Sequence, residues 1–207
     1  MNGKFIVFEG MDGSGKSSAV EMAYNHLTEL NIPVILVRVP GGSRVGEQIR
    51  SILLDSESNL ELVTEFMLMQ ATRIEAYNKI IKPAIDRGTW VICDRFNTSS
   101  YVYQSKVKGL DNRFVQDLIE STTPQIIVDH SVLIRRPFVD ILRCLNAKNK
   151  DHFESMSVEK LREAYGEYNW HASSVDEPWT IIENDSHLND LELKIKQTLN
   201  IILQDSE

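Results

Sequence analysis

The chain has 207 residues, 42% of them hydrophobic, which is enough apolar material for one core and too much for a disordered polymer. Its net charge of −8 argues against a non-selective polyanion binder, while a local arginine cluster can still hold a small anion. Two cysteines, Cys93 and Cys144, offer neither a disulfide framework nor zinc spacing, and neither a secretory leader nor a membrane-length apolar run stands out. The expectation is a cytoplasmic protein that binds neither nucleic acid nor membrane.

The first predicted strand, Phe5-Ile6-Val7-Phe8, leads into Gly10-Met11-Asp12-Gly13-Ser14-Gly15-Lys16-Ser17. This string fits the phosphate-loop pattern GxxxxGK[ST] and precedes a helix predicted over about 16–30. Such a turn aims successive backbone N–H groups at phosphate oxygens, and the following helix adds its unpaired amides. Gly10, Gly13 and Gly15 permit the curvature, Lys16 is expected at the β and γ phosphates, and the Ser17 hydroxyl at Mg²⁺. Met11, Asp12, Ser14 and Ser18 complete the expected nucleotide-phosphate cradle. The loop alone does not separate a kinase from a GTPase or another ATPase.

A second strand is predicted at Val34-Ile35-Leu36-Val37, ending at Pro40-Gly41-Gly42 ahead of a helix over about 45–53. Residues 60–82 predict one long helix, apolar on more than one face and closed or kinked at Pro83. Thr89-Trp90-Val91-Ile92-Cys93 is the next strand, delivering Asp94-Arg95 at its carboxyl end, where open parallel sheets bind ligands. A helix near 111–121, a strand at Gln125-Ile126-Ile127-Val128-Asp129, a helix over 157–168, a strand near 179–182 and an amphipathic helix over 188–203 follow. This alternation predicts a three-layer α/β architecture in a single domain, 1–207.

Beyond the phosphate loop stand Arg38-Val39-Pro40-Gly41-Gly42-Ser43, then Gly46-Glu47-Gln48-Ile49-Arg50-Ser51-Ile52-Leu53-Leu54-Asp55, then Ile92-Cys93-Asp94-Arg95-Phe96, then Ser99-Ser100-Tyr101-Val102-Tyr103-Gln104. In order, over residues 4–129, these resemble the strings FEGxDGxGK, REPGGTxxGExIRxxLLD, ICDRY and SSxAYQ of the bacterial-type thymidylate kinases. The resemblance implies a P-loop NTP hydrolase-like fold around a five-stranded parallel sheet, and phosphoryl transfer from ATP to dTMP to give ADP and dTDP. It implies that Lys16 and Ser17 meet ATP and Mg²⁺, and that Asp94 supports the metal. Asp12 then lies near the acceptor, Arg50 and Arg95 clamp its phosphate, and Arg38 shapes that pocket. Arg73 bonds the thymine edge, while Ser99, Ser100, Tyr103 and Gln104 close over base and sugar. A homodimer is implied as well. The required charge chemistry agrees, because arginine forks hold phosphate bidentately and an already anionic acceptor needs no general base.

Three departures bear on specificity. Val39 replaces the usual glutamate, leaving its role to Asp12 or water, and Met69 stands where the family commonly stacks a phenylalanine on the pyrimidine. Ser14 stands where some members place an arginine, a cation then expected from a mobile lid over about 134–152 that offers Arg135, Arg136 and Arg143. Arg143 is the favoured candidate, with Lys148 and Lys150 as lesser ones. A broader deoxynucleoside monophosphate kinase accepting dUMP or another nucleotide, a deoxynucleoside kinase, and a non-catalytic nucleotide-binding interaction module all stay open at this point.

Overall fold

Every side chain of the first strand is buried, which dictates where that strand lies in the fold. The computed structural model describes residues 3–123, 126–147, 156–174, 178–185 and 188–204. Its strands are β1 (Phe5–Glu9), β2 (Val34–Arg38), β3 (Trp90–Asp94), β4 (His130–Arg135) and β5 (Trp179–Glu183). They form one parallel sheet in the order β2-β3-β1-β4-β5, with β1 at its centre. A parallel sheet needs helices on both faces, and these are α1 (Lys16–Glu29), α2 (Arg44–Leu54), α3 (Leu62–Ala76), α4 (Lys82–Asp86), α5 (Asn97–Ser100), α6 (Asn112–Thr122), α7 (Phe138–Ala147), α8 (Val158–Ser174) and α9 (Leu188–Gln204).

Strand alternation divides the core. Ile6 and Phe8 point to one face and pack with Ala19, Ala23 and Leu27 of α1 and Leu191, Ile195 and Leu199 of α9. Phe5 and Val7 point to the other, joining Ala76, Ile81, Cys93 and Phe96. A third cluster, with Met11, Tyr103, Leu133, Ile141, Leu145, Leu161 and Tyr168, ties α7 and α8 to the beginning of the phosphate loop. The three-layer α/β expectation is therefore met. Among the described residues no helix is long and apolar enough to cross a membrane.

Two local expectations are corrected. The fourth strand is His130–Arg135, not residues 125–129. Two apolar runs lie side by side here, and only the second sits between neighbours: Ser131, Val132, Leu133 and Ile134 are buried, whereas Ile127 is 80% exposed. Asp129 instead accepts from the Phe5 amide at 2.8 Å and tethers the entry to β1. The shift also moves the expected lid. Residues 134–135 belong to β4, and α7 is docked in the core through Ile141 and Leu145, while 148–152, with Lys148 and Lys150, lie outside the described residues.

The predicted long helix ends at Asp86, so Pro83 stands at the start of its closing turn, as expected. A π-helical turn, Tyr77–Ile81, widens the ladder between α3 and α4, so Pro83 enters in the first turn of α4, where its missing N–H leaves no α-helical gap.

Candidate active site

β1 ends at the centre of the sheet's carboxyl edge, so the chain leaving it must turn in the open crevice above the strands. Gly10 makes that turn with φ 148°, and a Cβ there would stand 2.7 Å from the Ile134 carbonyl oxygen. Gly15 caps α1 in the left-handed region, φ 93°. The Asn184 side chain, just past β5, donates to the Ser14 carbonyl at 2.7 Å and fastens the loop from behind. Met11, Asp12, Gly13, Gly15, Lys16, Ser17 and Ser18 line a cleft of about 640 Å³; Gly10 and Ser14 stand outside its lining. The Lys16 ammonium is buried against the Asp94 carboxylate. Burial, followed by the nearby Arg95 charge, pulls its pKa below the ordinary lysine value.

Across the cleft the sequence candidates converge. Arg38, Arg50, Met69, Arg73, Asp94, Arg95, Ser99, Ser100, Tyr103 and Gln104 all line it. Arg95 leaves β3 with φ 68°, a conformation rare for a side chain of this size, which turns the guanidinium into the crevice. One of its terminal nitrogens donates to Asp12 at 2.6 Å, and the other to Tyr168 Oη at 2.7 Å and Ser99 Oγ at 3.2 Å. Arg73 is 2% exposed and donates to the Phe96 carbonyl and Ser100 Oγ, both at 2.9 Å, and to Gln70. Its Nε, also buried, has no hydrogen-bond partner among the described residues. Burial brings the Arg73 pKa down to about 10, so the group stays charged at neutrality. Tyr103 and Gln104 lie on a π-helical segment, Tyr101–Val107, with Gln104 donating to Glu65 at 3.0 Å.

Val39 is buried and brings no carboxylate to the cleft, while Arg38 is held by Glu47 of α2, which accepts from it at 2.8 Å and from the Gly42 amide at 2.9 Å. Arg50 donates to the Pro40 carbonyl at 2.8 Å and keeps its remaining donors for the cleft. The expected Arg143 does not reach the cleft; its side chain is 76% exposed and paired with Asp140 at 2.8 Å. An i,i+3 partner on the outer side of α7 holds it away. Arg136 lines the cleft in its place.

Sequence reasoning missed Glu9 and Tyr168. Glu9, fully buried, accepts from the Phe96 amide at 2.8 Å and from Ser99 Oγ at 2.7 Å, fixing the segment that carries Arg95. Its position in the Phe8-Glu9-Gly10 string was the available signal. Tyr168 carried none beyond an apolar spacing in α8.

Ser17 hydroxyl and Asp94 carboxylate both line the cleft, and such hard oxygens suit Mg²⁺ in company with phosphates and water. A phosphate loop at the centre of a parallel sheet, faced by a set of arginines, defines a P-loop phosphotransferase. A family model for thymidylate kinase matches residues 8–195. A thymidylate kinase of Caldanaerobacter subterraneus is 39% identical over 80% of this chain and 81% of its own. One of Prochlorococcus marinus is 33% identical over 96% of this chain and 99% of its own. The crystal structure of the Ehrlichia chaffeensis thymidylate kinase superposes with a TM-score of 0.79 at 26% identity, over 96% of this chain and all of that one. The chain belongs to the thymidylate kinase family.

Proposed function

We propose that the protein moves the terminal phosphoryl group of ATP to dTMP, forming ADP and dTDP. The observation that carries this reading is one cleft holding a phosphate loop on one wall and Arg50, Arg73 and Arg95 on the other. ATP lies along the loop amides, and Lys16 exchanges its Asp94 contact for the donor phosphates. Arg95 and Arg50 take the acceptor phosphate, reducing the repulsion between two anions that must approach in line. Arg73, with an unused buried Nε, meets the pyrimidine edge, and Ser99, Ser100, Tyr103 and Gln104 exclude water from base and sugar. When bound, Mg²⁺ would be held by Ser17 and Asp94 and would neutralise charge on the β and γ phosphates.

The acceptor phosphate is anionic at neutral pH, so Asp12 serves to hold Arg95 rather than to abstract a proton. Met69, an adaptable thioether in place of a stacking ring, loosens the selection by base, which makes dUMP and other deoxynucleotides acceptors to test. The outer apolar side chains of α3, Val63 and Met67, are the surface for a homodimer, which a mass measurement in solution tests. Two unbridged cysteines suit a reducing, cytoplasmic setting.

ADP release measured over dTMP, dUMP, dCMP, dGMP, dAMP and thymidine tests the reaction. Preference for dTMP is expected, and a preference for a purine nucleotide or for the unphosphorylated nucleoside would reject it. Lys16→Ala should lower kcat by about 100-fold or more while the fold survives.

A further inference from the structure

Three arginines, Arg135, Arg136 and Arg143, follow one another closely where β4 gives way to α7, and the fold gives each a different fate. Arg135 is drawn sideways to Glu183 at 2.8 Å and Asn169 at 2.7 Å. Arg143 is turned to solvent. Only Arg136 of the three lines the nucleotide cleft. The cause lies in the sheet: β4 runs beside β1, with Leu133 opposite Glu9, so the chain leaving β4 crosses in front of the phosphate loop. Pro137 starts α7 at once, its carbonyl accepting from Asp140 at 2.9 Å, which leaves Arg136 little backbone freedom.

The partners of Arg136 are unusual for a guanidinium in such a place. One terminal nitrogen lies 3.3 Å from the Gly13 carbonyl oxygen and 3.3 Å from Cys144 Sγ. The contact to the carbonyl oxygen is long, and sulfur is a weak acceptor. Among the described residues no carboxylate comes within ion-pair distance of it, whereas Lys16 is matched by Asp94 and Arg95 by Asp12. Among the described residues the phosphate-loop wall therefore carries a half-buried cation, Arg136, without a counter-ion and already touching the loop. A phosphate oxygen is a far stronger acceptor for such a group than a carbonyl or a thiol.

We propose that Arg136 is a catalytic residue: it leaves the Gly13 carbonyl and Cys144 to bind the donor phosphates of ATP during transfer, in the place expected of Arg143. This rests on the phosphotransfer reading above. No covalent bond to the protein forms, and the guanidinium only gathers charge that shifts from the γ to the β phosphate oxygens as the bond breaks.

Steady-state kinetics of Arg136→Met, Arg136→Lys and Arg143→Ala, with thermal unfolding of each, test the assignment. Arg136→Met should lose about 100-fold or more in kcat with the dTMP KM within about threefold, and millimolar guanidinium should restore part of the loss. Arg136→Lys should fall between it and the parent, about 10-fold below the parent, since an ammonium lacks the fork. Arg143→Ala should match the parent within about twofold. An active parent enzyme with Arg136→Met, or Arg136→Lys if the first does not fold, within threefold of its kcat would overturn the assignment alone. A parent that makes no ADP with any acceptor would overturn the phosphotransfer reading and the assignment together.

Discussion

Tyr168 and Arg95 stand 73 residues apart in the chain, yet the phenol oxygen lies 2.7 Å from the guanidinium. The direction of the bonds follows from the donors available. Ser99 commits its proton to the buried Glu9 carboxylate at 2.7 Å, so Tyr168 turns its own proton to Ser99 Oγ at 3.0 Å and offers a lone pair to Arg95. A carboxylate buried in β1 thus sets the aim of an arginine leaving β3 through a hydroxyl of α5 and a phenol of α8.

Tyr168→Phe deletes one step of that relay and leaves the packing in place. A hydrogen bond to a charged group is worth about 1.5–3 kcal/mol, so the dTMP KM should rise by about 10- to 150-fold while the ATP KM stays within about twofold. Initial-rate measurements at varied concentrations of each nucleotide give both numbers. An unmoved acceptor KM would mean that Asp12 alone orients Arg95.

Met69 lies one helical turn before Arg73 and lines the cleft beside it. A ring at this position adds a flat face for a pyrimidine, worth about 0.5–1.5 kcal/mol beyond its area. Met69→Phe should lower the KM for dTMP and dUMP by about 2- to 10-fold and leave purine nucleotides unimproved. The same acceptor panel, run side by side with the parent, reads the difference; equal gains for purines would place Met69 away from the base.

His171 predicts an acid weakness. Its ring is 8% exposed between Tyr101 and Trp170, with centroids 5.2 and 5.0 Å away, and burial pushes its pKa from 6.5 down to about 4. Glu167, 3.6 Å from Nε2, favours the proton, but it is shared with Lys106 at 3.8 Å and burial wins. With the folded pKa below the unfolded one, the unfolded chain binds more protons between pH 4 and 6.5. Stability is then whole above that window and is lost as pH falls through it, by about 2 kcal/mol at pH 5. Urea unfolding at about pH 7.5 and pH 5 should show this slope in the parent and lose that part of it in His171→Phe.

What could be read in advance divides along physical lines. The phosphate loop, Asp94-Arg95 and the order of strands and helices were legible because each is written in neighbouring residues. Between Arg136 and Arg143 the sequence offered no such guide. Which one enters the cleft depends on where β4 stops, and two adjacent apolar runs concealed that by about five residues. Glu9 went unremarked, since its partners Phe96 and Ser99 lie about 90 residues further along the chain. Tyr168 carried no signal of its own: its ring is buried in the core, and only the hydroxyl takes part in the site.

The bond from Asn184 to the Ser14 carbonyl has a consequence for synthesis on the ribosome. Every signature string lies in the first 129 residues, yet β4, one of the two strands beside β1, and the amide that pins its loop are translated afterwards. A growing polypeptide that already displays the whole recognisable half of the enzyme still lacks the back wall of its nucleotide seat. ATP therefore acquires a finished berth only once residue 184 has cleared the exit tunnel, so ligand-assisted folding is reserved for the nearly complete chain.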